Sequence, residues 1–202
     1  MDTIQEQLAL FEGADAHKRV LKWIKSGKRF CEKAQLKMFE LPYAKKLIKA
    51  YIQYYSLCDE AELKMIELAK TRGLLEMYIE YQSLCDEAQL KMFEFRNAKK
   101  LVEFYIQNWD LCAEAQLKMF KFSNAEYLIE WYINEWNLCD EAEIRMLELP
   151  NAEKLLKIYV QKSELCKKAQ LKMVELPNVE SLLNIYVQKF KLCKKAQIKI
   201  LK

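Results

Sequence analysis

The phrase LCKKAQLKM, residues 165–173, recurs as LCDEAEIRM from Leu138, LCAEAQLKM from Leu111, LCDEAQLKM from Leu84 and LCDEAELKM from Leu57. FCEKAQLKM from Phe30 and LCKKAQIKI from Leu192 complete the set. Cys31, Cys58, Cys85, Cys112, Cys139, Cys166 and Cys193 are therefore spaced by a constant 27 residues. No other feature constrains the fold as strongly. A fixed period of this length means stacked supersecondary units, each unable to bury its apolar face alone. The spacing predicts a single domain over residues 1–202, its core growing along an axis.

Each period holds two apolar patterns. In the sixth unit Ala152, Leu155, Leu156, Tyr159 and Val160 fall on one face at 3.6 residues per turn, predicting a helix A. Leu165, Cys166, Ala169, Met173 and Leu176 do the same for a helix B. Helix formers dominate, and only 3 Gly and 3 Pro occur, too few for a turn-rich β protein. Two helices of about 11 residues and two tight turns fill the period. Such helices are too short to stand alone, so neighbours must hold them.

The units are 15–42, 43–69, 70–96, 97–123, 124–150, 151–177 and 178–202, after a half repeat at 1–14. In that half repeat Leu8, Leu10 and Phe11 match the second half of later units, and Gly13 ends the helix. Asp15 is read as an N-cap, and Ser26-Gly27 as a turn that adds one residue to the first unit. Pro42, Pro150 and Pro177 close units; Asn97, Asn124, Asn151 and Asn178 open them as N-caps. Ser56, Ser83, Asp110 and Asn137 are the expected caps of B helices, with Asp59 and Asp86 completing near capping boxes. The expected fold is all-α: a right-handed α-solenoid of seven 27-residue antiparallel helix pairs preceded by a half repeat. This architecture resembles the helical solenoids, such as tetratricopeptide and HEAT repeats. The tetratricopeptide period is about 34 residues and HEAT units are longer. The Trp-Leu-Gly pattern of the former is absent, so no family function carries over.

The cysteines do not read as a framework. Their number is odd, and neighbouring repeats stack about 9–10 Å apart, whereas a disulfide needs Cα atoms within about 7 Å. They are expected to be a ladder of small buried thiols. The same separation, with His17 the sole histidine, argues against a metal site. No phosphate loop, dinucleotide fingerprint or nucleophile elbow occurs. No enzyme activity and no cofactor are expected. No run of about 18 apolar residues occurs, so no membrane span is expected. The start of the chain lacks the features of a signal peptide, so an intracellular, cytoplasmic protein is expected.

Three positions repeat with little change. On helix A an aromatic recurs as Trp23, Tyr51, Tyr78, Tyr105, Tyr132, Tyr159 and Tyr186. It sits mid-face and reads as core, its hydroxyl reaching the next repeat, rather than as a base-stacking platform. On helix B, Gln35, Glu62, Gln89, Gln116, Glu143, Gln170 and Gln197 lie about 40° from the cysteine, inside the apolar arc. Polar groups there need partners, so a ladder of bonds to the neighbouring repeat is expected. The third position is basic: Lys37, Lys64, Lys91, Lys118, Arg145, Lys172 and Lys199. Such a row can track phosphates. It can equally be a solvated face, since Glu60, Glu87, Glu114 and Glu141 lie four residues before their cation and other glutamates three after.

Variation marks where recognition can live. One helix-A edge reads Ala50, Met77, Phe104, Trp131, Ile158 and Ile185. The middle of the chain concentrates aromatics beside acids: Phe104, Trp109, Tyr127, Trp131 and Trp136 with Glu76, Glu80, Glu103 and Glu130. Aromatic anchors with a charged rim describe a protein-binding patch; the competing expectation is that these aromatics fill the space between repeats. The net charge of +4 hides 11 Lys/Arg against 3 acids in 15–50, 10 against 19 in 51–150, and 12 against 4 in 151–202. Lys167-Lys168 and Lys194-Lys195 open helices, where the dipole disfavours them. The expected function is a non-enzymatic protein–protein interaction scaffold with a partner on a curved surface, as a monomer or with weak self-association. The alternatives are a nucleic-acid-binding solenoid using the Lys/Arg row and basic ends, and a self-assembling structural protein.

Overall fold

The computed structural model describes residues 3–68 and 73–201, which form fifteen α-helices and no strand. The expected boundary between Ala69 and Lys70 lies outside the described residues. The chain packs as two compact units, 1–109 and 110–202. None of the described helices is long and apolar enough to cross a membrane.

The first unit holds α1 (Ile4–Ala9), α2 (Ala16–Lys25), α3 (Glu32–Met38), α4 (Ala44–Ile52), α5 (Asp59–Leu68), α6 (Gly73–Tyr81), α7 (Asp86–Met92) and α8 (Ala98–Ile106). Odd-numbered helices carry the B pattern and even-numbered ones the A pattern. The B row stacks as α1, α3, α5, α7, and the A row as α2, α4, α6, α8. The rows join where each B helix meets the A helix that follows it: α3 with α4, α5 with α6, α7 with α8. The second unit repeats the plan with α9 (Ala113–Met119), α10 (Ala125–Glu135), α11 (Asp140–Leu147), α12 (Ala152–Tyr159), α13 (Lys167–Met173), α14 (Val179–Tyr186) and α15 (Lys194–Ile200). These contacts are those of a helical-repeat architecture.

The core lies between the two rows. Leu47, Ile48, Tyr51 and Ile52 of α4 are buried, as are Ala34 and Met38 of the α3 it packs on, and the same positions are buried from α5 to α13; in α14 and α15 Leu183 is half-buried and Val187 and Ile200 are exposed. The alanine at the third position of every B helix, from Ala34 to Ala196, is fully buried. A residue this small lets B helices approach closely. Full burial of each Leu, Ile or Met contributes about 1.5–3 kcal/mol, which holds helices of 6 to 11 residues.

The glutamine ladder exists, and its geometry is regular. Cys58 N–H donates to Gln35 Oε1 at 2.6 Å, Cys85 N–H to Glu62 Oε2 at 2.7 Å, and Cys139 N–H to Gln116 Oε1 at 2.7 Å. Cys166 N–H and Cys193 N–H donate to Glu143 and Gln170 at 2.7 Å. Where the side chain is Gln, its Nε2 donates back to the carbonyl before its own cysteine: Gln35 to Phe30, Gln89 to Leu84, Gln116 to Leu111, Gln170 to Leu165. These side chains, Gln35 to Gln170, are 2 to 5 % exposed. One amide thus closes a loop in its own repeat and binds the next. The sequence pattern missed the first rung: Gln7 accepts from Cys31 N–H at 2.7 Å. The extra residue at Gly27, which adopts a positive φ of 76°, puts Gln7 one place out of register.

The aromatic stripe is core. The six tyrosines from Tyr51 to Tyr186 are at most 1 % exposed. Their hydroxyls reach back to the preceding repeat, not forward: Tyr51, Tyr78 and Tyr105 accept from Phe30, Leu57 and Leu84 N–H at 3.2 Å. The phenol proton goes to a nearby carboxylate where one stands. Tyr78 donates to Glu62 at 2.6 Å and Tyr159 to Glu143 at 2.8 Å; Tyr132 donates to Asp110 and Tyr186 to Glu164.

Two cap assignments are corrected. Cysteine, not Ser, Asp or Asn, is the N-cap of helices α3, α7, α9, α11, α13 and α15, with extended φ/ψ near −65° and 160°. The Ser56 and Ser83 positions lie two residues earlier, and Asp59 and Asp86 are first helical residues rather than capping-box partners. The thiols are half-buried, not fully buried. Asn97, Asn124, Asn151 and Asn178 do open their helices, but without side-chain cap bonds. Backbone turn bonds such as Ala98 N–H to Phe95 carbonyl do that work. Asp15 likewise makes no cap bond; it pairs with Lys18 at 2.9 Å.

Candidate functional site

Two sets of residues are candidates for recognition, the cationic row and the aromatic group, and the thiols are not among them. Three of the thiols are held as poor nucleophiles. Burial pushes Cys58 up, Cys85 up to about 12 and Cys166 up to about 11, with the buried Glu62 and Glu143 beside the latter two adding to the effect. Cys166 Sγ instead accepts a weak bond from Ala169 N–H at 3.3 Å. These cysteines act as caps.

The cationic row is largely neutralised. Lys37 pairs with Glu40 at 2.5 Å, Lys64 with Glu60 at 4.0 Å and Arg145 with Glu148 at 3.7 Å, within their helices or the turn that follows. The remaining pairs cross between repeats: Lys91 to Glu67 at 3.5 Å, Lys172 to Glu148 at 2.9 Å, and Lys199 to Glu175. Lys118 also has a partner. Alternating charge along the B row is thus a strap between neighbouring repeats. A phosphate would have to displace a carboxylate at most positions.

The aromatic group divides between the two units. In the first, Glu76, Glu103 and Phe104 are half-buried and Glu80 is exposed; Glu103 pairs with Lys99 at 3.6 Å. Trp109 is half-buried and its indole N–H donates to the Ile79 carbonyl at 2.6 Å, which fixes it as packing against the end of α6. In the second unit Trp136 is half-buried at the end of α10. Tyr127 and Trp131 are different. They lie one turn apart on α10, 47 % and 42 % exposed, with ring centroids 5.8 Å apart at 41°. Glu130 beside them pairs with Lys154 of α12 at 2.6 Å.

Tyr127 also forms the lip of a hollow of about 380 Å³ between the loops that precede α10 and α12. Phe120, Phe122, Ala125 and Leu149 supply its apolar wall, and Ser123, Asn124 and Glu126 its polar one. Phe122 stands at the helix-B position that Leu176 marks in the sixth unit, whereas the position of Phe120 lies outside that apolar pattern. The arrangement offers two tilted rings in contact, a recess with an apolar and a polar wall, and an ion pair nearby. It has no paired acid and base and no activated nucleophile. No protein-family model, no curated protein and no solved structure matches the chain.

Proposed function

We propose that the chain is a non-enzymatic, intracellular protein-interaction scaffold, each unit a segment of a right-handed α-solenoid built on seven 27-residue repeats after a half repeat. Its partner-binding surface is centred on Tyr127 and Trp131. One observation carries this reading: two large aromatics in mutual contact are left half in water, and one of them, Tyr127, lines a hollow with an apolar and a polar wall. The counterparts of Trp131 on the same edge, Ala50, Met77 and Ile158, are smaller and less exposed. Exposed Tyr and Trp beside a recess are the residue types and setting of binding hot spots. The Glu130–Lys154 pair supplies a polar rim.

The test is affinity capture with the whole chain, followed by a binding titration of the purified interactor. The double variant Tyr127→Ala/Trp131→Ala is expected to weaken that interactor by about 30-fold or more, the loss of about 2 kcal/mol typical of a hot spot. Tyr54→Ala, which removes an aromatic exposed elsewhere, is expected to bind as the parent does. An interactor that binds the double variant with parental affinity overturns the assignment.

A further inference from the structure

At the start of each B helix from α3 to α15 the first two residues read Glu32-Lys33, Asp59-Glu60, Asp86-Glu87, Ala113-Glu114, Asp140-Glu141, Lys167-Lys168 and Lys194-Lys195. The first turn of a helix favours negative charge, and five of the seven carry an acid there. The two that invert the rule are α13 and α15, which lie side by side in the B row of the second unit. The loop leading into α15 adds Lys189 and Lys191. All six ammonium-bearing side chains are exposed. Only Lys168 has an ion-pair partner among the described residues, Glu141 at 3.6 Å. Glu164, the acid closest in sequence, is turned to Gln170 and Tyr186. Lys172 and Lys199 on the same two helices are, by contrast, held by Glu148 and Glu175.

Four lysines at helix starts, three of them without an ion pair among the described residues, cost stability, so packing does not account for them. We propose that this edge of the second unit binds double-stranded nucleic acid through its phosphates, a site separate from the Tyr127–Trp131 surface. The class of ligand follows from charge: of six exposed lysines only Lys168 is ion-paired among the described residues, and such a surface complements a polyanion. Exposed apolar residues, Val187, Ile198, Ile200 and Leu201, also stand in this stretch of chain, so an acidic polypeptide is the competing partner in the test. Interfaces with duplex nucleic acid are polar and strongly positive. Single strands are held by stacking on exposed aromatics, and the nearest ring, Phe190, is half-buried and packed on Tyr186 at 5.6 Å. Lysine serves phosphate as a point charge, and a lysine-only patch has no group that reads bases.

The experiment is fluorescence anisotropy of labelled duplex RNA, duplex DNA, single-stranded homopolymer and polyglutamate against the whole chain, over about 50–200 mM salt. Contact with five or six phosphates gives a log–log salt slope of about −5. The variant Lys167→Gln/Lys168→Gln/Lys194→Gln/Lys195→Gln is expected to flatten that slope by about 3.6, from roughly 0.9 per lost contact, and to weaken low-salt binding by at least about 100-fold. Lys172→Gln/Lys199→Gln is the control, because those lysines are already paired, and is expected to stay within about threefold of the parent. Duplex binding unchanged in the four-lysine variant overturns the proposal. So does polyglutamate or the single strand binding as tightly as the duplex, which would assign the patch to an acidic protein segment or to unpaired strands.

Discussion

At the scale of single residues, the choice between Gln and Glu at the buried rung follows the tyrosine proton. Glu62 follows Ser56 and Glu143 follows Asn137, neutral residues at the break before helix B. Where the break is acidic, at Asp110 and Glu164, the rung is Gln116 or Gln170. No repeat carries both acids, and the phenol donates to whichever is present. Burial raises Glu62 and Glu143 above the usual carboxylate range despite bonds from Tyr78, Tyr159 and the cysteine amides. A carboxyl raised on folding favours the folded state most when protonated. Its contribution is fully present below the unfolded pKa near 4.5 and is lost as pH rises through the raised value. Glu62→Gln rebuilds the Ser–Gln–Tyr set that Ser83, Gln89 and Tyr105 already use. Urea unfolding should show its stability relative to the parent improving between pH 4 and pH 7; a pH-independent difference would refute the charge-burial account. Gln170→Glu does the reverse, setting a second carboxylate beside Glu164 around Tyr186. That variant should lose stability at pH 7 and recover part of it on acidification, because like charges in one site resist joint ionisation. The burial of the Gln/Glu position was legible in its place inside the apolar arc. The proton's destination was not, because it depends on a residue in the break and a tyrosine 22 positions on, on different elements.

At the scale of helices, the B helix is capped from its neighbour. Its N-cap cysteine offers only a weak sulfur acceptor, while its own N–H is bonded by the rung of the preceding repeat. This is why Ser, Asp and Asn in the break were misleading as caps: intrinsic preference names the usual capping side chains, and tertiary contact moved the helix start two residues further on. Gln116→Leu should therefore cost more than a surface change. It strands Cys139 N–H and the Leu111 carbonyl, each a buried group worth about 1–3 kcal/mol when unpaired. A loss of about 2–4 kcal/mol in urea unfolding is expected, and a loss below about 0.5 kcal/mol would mean water replaces the amide freely. The same setting protects the thiol. With Cys85 and Cys166 pushed up to about 12 and about 11, little thiolate exists at neutral pH, whereas a free cysteine titrates near 8.5. Alkylation by iodoacetamide at pH 7.5 should run at least tenfold slower at these two sites than for a free thiol in the same buffer. Rates equal to a free thiol would show that half-exposure, not acidity, governs them.

At the scale of the whole molecule, stability is carried from neighbour to neighbour. The bonds between helices described above join positions 16 to 30 residues apart: tyrosine to rung at 16, rung to cysteine at 23 or 24, Trp109 to Ile79 at 30. The charge strap does the same at 24, as in Lys172–Glu148 and Lys199–Glu175. This periodicity was plain in the sequence. The division into two compact units was not, since the repeat runs through residues 109 and 110 without a linker, proline or glycine. A chain so bonded behaves as a row of coupled elements, in which a defect is felt mainly next door. Gln170→Leu removes the bond that carries α13 onto Cys193 at the start of α15. Hydrogen exchange should therefore show α15 losing protection strongly and α13 moderately, while α9, two repeats away in the same unit, exchanges as in the parent. A uniform loss across α9 to α15 would instead mean that the unit unfolds as one cooperative block, and that the rungs set a global stability rather than a local one.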